Sequence, residues 1–364
     1  MQAQPTIRWR TRTGSPGLGG VAATSEYVLY SERGLNNSMD VFRCLKAETG
    51  EELWALRHPA PGELDYGSSP RTTPLISGEH VYFFGAWGHL HCVELKTGVP
   101  VWQMDVRAEF NVEKLTWGHC GTPLLVDGKL ILAPGAPDAS LVALEPLSGK
   151  VLWKTPGQPA SYGSLIVATL GGKKQIIGHD ASTLGGWDLA TGQRLWTLKP
   201  KKESDYNVPT PMVTGEHLVV TTENNGTRLY AFHADGKIKP EPLAASMDLT
   251  PETHSPVIVG DHLYGVWRDM VCLDVRNGLK TIWRAEDDAF ANHTSIMASE
   301  KRLLITTSEG ELLLVEATPA KFNLLGRLKV FPDEKGLYAH PALVGTRLYL
   351  RSSDAVVCVE LATK

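Results

Sequence analysis

No stretch of the 364-residue chain approaches the roughly 18 consecutive apolar residues that a membrane-spanning helix requires. The start, Met1-Gln2-Ala3-Gln4-Pro5, has neither a basic opening nor an apolar run, so the chain as given shows no signal peptide. Gln-Ala-Gln suits a mature chain behind an added Met as well as a native cytoplasmic start. An excess of basic charge is also missing: Lys and Arg number 36 against 40 Asp and Glu, for a net charge of −4. The largest basic cluster, Lys199, Lys201 and Lys202, reads as a solvated, Pro-containing loop, and nothing forms a footprint for nucleic acid. Among the five cysteines there is no Cys-x-x-Cys and no adjacent pair. Gly-x-Ser-x-Gly, His-Glu-x-x-His, a phosphate-cradling Gly-Lys-Ser/Thr loop and EF-hand spacing are likewise absent.

What is present is a hairpin that recurs with a tryptophan at its end. It reads Thr49-Gly50 to Trp54, Thr97-Gly98 to Trp102, Ser148-Gly149 to Trp153 and Thr191-Gly192 to Trp196, with a looser copy ending at Trp283. A second signal is a short strand opening with Thr/Ser-Pro and followed by a Gly turn, at Thr73-Pro74, Thr122-Pro123, Thr210-Pro211 and Ser255-Pro256. Degenerate copies start near residues 20, 164, 295 and 340, so successive starts lie 53, 49, 42, 46, 45, 40 and 45 residues apart. Such a period marks a repeat architecture. Each unit reads as four short strands bounded by turn residues.

The eighth unit ends at Lys364 without its fourth strand, and Thr6-Ile7-Arg8-Trp9-Arg10 resembles the missing piece, with Trp9 in the Trp54 role. The expected fold is therefore all-β: an eight-bladed β-propeller of four-stranded antiparallel blades, closed by the N-terminal strand joining the C-terminal blade. One domain over residues 6–364 is expected. Cys44, Cys92, Cys272 and Cys358 share one repeat position, which Ala143, Gly186 and Ala231 fill elsewhere. The position is a slot for a small buried residue, so these four cysteines are expected to be reduced core residues under the tryptophans. Six of the ten tryptophans (Trp9, Trp54, Trp102, Trp153, Trp196 and Trp283) are thereby assigned to packing between blades.

A small residue, an acidic residue two on, Thr/Ser-Gly and a Trp four after the Gly resemble the tryptophan-docking motif of quinoprotein (PQQ-like) propellers. Cys92 through Trp102 and Ala143 through Trp153 are the nearest matches, and the likeness covers essentially the whole chain. The family embraces PQQ-dependent alcohol and sugar dehydrogenases, the outer-membrane assembly lipoprotein BamB and secreted bacterial members. Phe110-Asn111-Val112-Glu113-Lys114-Leu115-Thr116-Trp117-Gly118-His119 resembles the last, cofactor-less group. The resemblance implies a periplasmic or secreted location. Two departures matter: the dehydrogenases' vicinal cysteine pair is missing, and so is the lipidated N-terminal Cys of BamB.

With the repeat subtracted, the remaining signal lies in the loops leading into each first strand. They contribute Arg71, His119, Tyr162, Asn207, His254, Asn292, His293, Tyr338 and His340, with Trp117 and Tyr206 close by. Such a ring of His, Arg, Tyr and Asn suits an anionic or sugar-like ligand, or a metal held by neutral imidazoles. It equally suits polar residues that hold water at a channel mouth. Trp87 and Trp267 occupy equivalent turns between second and third strands, where rim aromatics stack on carbohydrate, meet a protein, or simply cap a blade. Asp65, Asp205, Glu252, Asp287 and Asp288 also precede first strands and are the carboxylates to test for a cation.

The expected function is a non-catalytic propeller that binds a small-molecule or carbohydrate ligand, or another protein, through these loops. The alternatives are a PQQ- and calcium-dependent alcohol or sugar dehydrogenase with an atypical site, and a metal-assisted carbohydrate lyase or hydrolase using the histidines. PQQ and calcium enter only with the dehydrogenase reading. No catalytic residue or metal ligand is assigned.

Overall fold

The computed structural model describes residues 5–334 and 336–361. The expected N-terminal residues 1–4 and the last three residues of the expected domain, 362–364, lie outside the described residues. Among the described residues, thirty-two strands form eight four-stranded sheets, and the chain is an eight-bladed β-propeller. First strands begin at Ala22, Leu75, Leu124, Ile166, Met212, Val257, Thr294 and Ala342, which define blades 1 to 8. Each lies within two residues of its expected start. The N-terminal strand Thr6–Arg12 runs antiparallel to Ala355–Glu360, with Trp9 opposite Cys358, and so supplies the fourth strand of blade 8. No helix among the described residues is long and apolar enough to cross a membrane.

Second and third strands are buried on both faces, which erases the alternating pattern: Val81-Tyr82-Phe83-Phe84 are all buried. The outer strand Pro100–Asp105 keeps the two-residue period from Val101 onward, with Val101, Gln103 and Asp105 exposed and Trp102 and Met104 half-buried. The chain divides into two compact units. The first, Met1–Pro134, Leu144–Leu152 and Asp333–Lys364, includes blades 8, 1 and 2. Its cores gather Tyr30, Leu45, Tyr349 and Cys358, and Phe42, Cys44, Phe83 and Val93. The second, Gly135–Ala143 and Trp153–Pro332, includes blades 4 to 7. Its cores gather Leu218, Val220 and Tyr230; Leu263, Val271 and Leu273; and Tyr264, Cys272, Phe290 and Ile305.

The hairpin tryptophans tie blades together within each unit. Trp54 Nε1 donates to the Leu95 carbonyl at 3.0 Å, and its ring covers Gly98, where a Cβ would stand 2.5 Å from the indole. Gly98 also needs its positive φ of 71°, so both the turn and the ring demand glycine there. Trp9 repeats the arrangement on Ala47 and Gly50, and Trp102 on Pro146 and Gly149. In the second unit Trp153 covers Gly192, and Trp283 donates to Thr318 at 3.0 Å.

The small slot has a sharper meaning than a bed for the indole. Cys44, Cys92, Gly186, Cys272 and Cys358 stand directly across the ladder from Trp54, Trp102, Trp196, Trp283 and Trp9. A register shift adjoins each pair, so the residue before the tryptophan (Leu53, Val101, Leu195, Ile282 or Arg8) is the extra residue of a β-bulge. The bulge explains why Leu53, Val101 and Ile282 are exposed. All five cysteines are free, and four are fully buried.

Trp196 departs from the pattern. Its Nε1 donates to Gln175 Oε1 within blade 4 at 2.6 Å, and Gln175 Nε2 passes the link to the Gly236 carbonyl at 2.9 Å. The Thr/Ser of the Thr/Ser-Pro signal has a second task that its proline does not reveal. Thr73 N donates to Thr122 Oγ1 at 3.1 Å, Ser164 N to Thr210 Oγ1 at 3.4 Å and Thr210 N to Ser255 Oγ at 3.1 Å. One blade's hydroxyl thus satisfies the preceding blade's strand entry.

Candidate functional site

In the first unit, Arg71 braces the loop ahead of blade 2. Its guanidinium donates to the carbonyls of Asp65, Gly67 and Ser69 at 2.7, 2.8 and 3.1 Å. The brace holds Tyr66 in left-handed backbone, φ 59°, with its side chain 79% exposed. A bulky residue in that region is strained and persists only where its surroundings enforce it. Trp117 meets the Tyr66 ring edge-on at 6.5 Å between centroids, and its Nε1 donates to Asp65 Oδ2 at 3.4 Å. Tyr66 was not among the expected site residues. The Asp65-Tyr66-Gly67 turn is the signal that could have found it.

His119 does not reach this surface. It is 3% exposed with its ring 4.8 Å from Phe84, and burial followed by the Arg107 charge pushes its pKa down to about 4. Trp87 is buried rather than presented on a rim: it packs over Gly62, and the Lys114 ammonium lies 5.3 Å from its ring. Tyr338 and His340 are exposed, and the His340 carbonyl accepts from Val21 N at 2.9 Å.

In the second unit, His254 is buried and stacks on His293 at 4.9 Å, with planes 24° apart. The Thr253 hydroxyl sits 3.3 Å from His293 Nδ1, and half-buried Trp267 lies 6.1 Å from His254. Asn207 is buried with φ 56°, and its Nδ2 donates to the Asp180 and Ala181 carbonyls at 3.3 Å each. Tyr206 is exposed, and its amide donates to Glu223, whose carboxyl is raised first by burial and further by Asp205 and Glu252. Tyr162 is half-buried and Asn292 is exposed.

Three of the loop carboxylates, Asp65, Asp205 and Asp287, are engaged locally. Asp205 accepts from Asn224 N at 2.8 Å and Asn225 Nδ2 at 2.5 Å, while Asp287 caps the short turn 288–290 and pairs with Arg327. Among the described residues, no group of three or more His, Cys, Asp or Glu is arranged to hold a metal ion.

Another histidine group escaped sequence reasoning because its members lie on strands of two blades. His58, on the outer strand of blade 1, stands 4.3 Å from His89 and 4.7 Å from His91 on the third strand of blade 2. His91 is 1% exposed with neither ring nitrogen bonded. Burial, then the charges of His58 and His89, push its pKa down to about 3.

Comparison with known proteins points one way on the repeat and two ways on its use. The family profile described as "Outer membrane protein assembly factor BamB" matches residues 37–281 and 137–364. The outer membrane protein assembly factor BamB of Burkholderia pseudomallei (strain K96243) is 25% identical over 257 residues, 65% of this chain and 65% of that protein. The dehydrogenase subunit of the quinone alcohol dehydrogenase of Komagataeibacter europaeus is 25% identical over 51% of this chain and 29% of its own length. The matched stretches thus span less than two thirds of these relatives. Among solved structures, BamB from Moraxella catarrhalis superposes with a TM-score of 0.67 at 15% identity, covering 98% of this chain and 99% of that one, a likeness of fold.

Proposed function

Because the chain belongs to the propeller family described as outer membrane protein assembly factor BamB, we propose that it is a non-catalytic scaffold which binds a protein partner through the loops entering its first strands. The partner would belong to outer-membrane protein assembly, and the location would be periplasmic or secreted. One observation carries this reading: Tyr66, 79% exposed, is held in a strained conformation by Arg71 and braced by Trp117. Tyr, Trp and Arg are the residue types that dominate interface energetics. Strain kept at an exposed aromatic tip is more readily understood as pre-organisation for a partner than as a packing need, since the ring covers little.

The test is binding of the purified chain to outer-membrane assembly proteins of its source organism. Tyr66→Ala and Trp117→Ala are expected to weaken it at least about tenfold, or 1.4 kcal/mol, without lowering the melting temperature. Full-strength binding by both variants, or none by the wild type, overturns the proposal.

A second reading rests on the likeness to a quinone alcohol dehydrogenase subunit over half the chain. Titration with PQQ and Ca²⁺ decides it. A ligand at 100 times its Kd stabilises by about 2.7 kcal/mol, so a flat melting temperature counts against a quinone site.

A further inference from the structure

Within the first unit, the loop 60–71 that carries Tyr66 is fastened at its root. His58, half-buried on the outer strand of blade 1, lies two residues before the loop. Its ring stands 4.3 Å from His89 and 4.7 Å from His91, both on the third strand of blade 2. The root of the loop is thus tied to the next blade by three imidazoles in contact. Arg33 holds the chain just beyond: it donates to the carbonyls of Ala60 and, at 3.2 Å, Gly62, and pairs with buried Asp40 at 2.7 Å. Further along, Asn37 Nδ2 donates to Ser68 Oγ at 3.4 Å, and Leu64 N donates to the same oxygen at 3.0 Å. The left-handed backbone of Tyr66 needs fastenings of this kind to persist.

Three touching imidazoles tolerate one another while they are neutral. Burial lowers the pKa of His58, and burial followed by the His58 charge lowers that of His89. His91, with both ring nitrogens buried and unbonded, is lowered furthest, to about 3. Charged groups face the cluster from each neighbouring element. Asp105, ending the outer strand of blade 2, favours protonation of His58 and His89, whereas Arg107 in the short helix 106–110 and Arg33 oppose it in His89. Asp40 stands across the ladder from His58, and burial raises its carboxyl to about 6.

A histidine that is neutral in the closed state and ordinary in the open one takes up its proton on opening, so acid drives opening below about pH 6.5. For His91 at pH 5 the factor is about thirtyfold. His58 and His89 act in the same direction. Asp40 acts in the other, because its raised value favours the closed state as pH falls from about 6 towards 3.8; at pH 5 it offsets about tenfold. The histidines prevail.

We propose that the His58–His89–His91 cluster is an acid-sensitive catch: protonation parts the root of loop 60–71 from blade 2, the Tyr66 turn relaxes, and a partner docked there is released. The release of a partner rests on the reading of the Tyr66 surface as a docking site.

The test is hydrogen exchange of the full chain at pH 7 and pH 5, read by mass spectrometry and corrected for intrinsic rates. Protection factors in residues 60–71 should fall at least about threefold between the two, and stay below those of the blade 2 strands at both. His91→Phe should abolish the fall, and His58→Gln, at a half-buried position, should reduce it even if His91→Phe fails to fold. Binding of outer-membrane assembly proteins should weaken by a similar factor at pH 5, and less in His58→Gln. Unchanged protection overturns the catch, as does an undiminished fall in the variants. So does loop protection equal to that of the blade 2 strands at both pH values, since the loop then opens only when the blades unfold. Exchange needs no partner: a chain that shows the fall yet binds nothing at pH 7 supports the catch and overturns the docking reading alone.

Discussion

Blades 6 and 7 solve the same packing problem in opposite ways. In blade 6, Cys272 is fully buried across the ladder from Trp283, whose indole reaches Thr318 in the next blade and meets Phe322 at 5.9 Å. In blade 7 the equivalent pair is Leu314 opposite Gly326. The large residue has moved from the outer strand to the third strand, and a Cβ on Gly326 would meet nothing within 4 Å. Both blades keep the bulge, with Ile282 and Leu325 as the extra residues. The bulge is therefore common to both blades, whereas the tryptophan and the small residue opposite it belong to blade 6 and not to blade 7.

The comparison breaks most readily at the tryptophan. Trp283→Ala is expected to cost about 3–5 kcal/mol by equilibrium urea unfolding. Gly326→Ala is expected to stay within about 0.5 kcal/mol of the wild type, because its site is open. Equal effects would remove the distinction between the two blades.

Next in size is a pH effect that sets the blade 1–blade 2 seam apart from the blade 6–blade 7 seam. His91 has a folded-state pKa near 3, below its unfolded value, so between those limits the unfolded chain binds the extra proton and acidification destabilises. At pH 4.5 the loss is about 2–3 kcal/mol relative to pH 7. Asp40 opposes it: burial raises its carboxyl to about 6, so it favours the folded state increasingly as pH falls from about 6 towards 3.8. Amide protection factors in blades 1 and 2 are expected to fall on acidification more than those in blades 6 and 7, and His91→Phe should flatten the difference.

Cys272→Leu places a blade 7-type side chain beneath the blade 6 tryptophan and is expected to cost about 1–3 kcal/mol by overcrowding. Adding Trp283→Gly should give a double mutant less destabilised than the sum of the two singles, measured as a coupling energy. The smallest contrast is at the strand entries. Ser255 Oγ accepts from Thr210 N, whereas Ser295 Oγ has no bonded partner. Ser255→Ala should cost about 1 kcal/mol and Ser295→Ala close to nothing.

Blade number and boundaries were readable in the chain because turn glycines and strand-opening Thr/Ser-Pro are local signals that recur at the same step. The role of Trp9 was readable for the same reason. Other features need partners that are distant in sequence. The Thr73–Thr122 link spans 49 residues, and the His58–His91 group joins strands of two blades. Of the expected site residues, Arg71 and Trp117 share one loop surface and His254 stacks on His293. His119 and Trp87 turned inward, because Phe84 and Gly62 offered apolar surface that no sequence spacing announces.

The amino-acid order alone is enough to settle the repeat, the number of blades, the N-terminal strand's place in blade 8 and the reduced state of the slot cysteines. All of these follow from short-range turn chemistry and from the volume a tryptophan needs. Which polar side chains stay in solvent and which are buried without partners was decided by tertiary packing. Tyr66 is exposed on a loop whose three carbonyls converge on Arg71, and Asp180 is held by Thr183 and Arg194 while Asp205 is held by Asn224 and Asn225. Competition among donors for a few acceptors is a property of folded geometry, and no local pattern encodes its outcome.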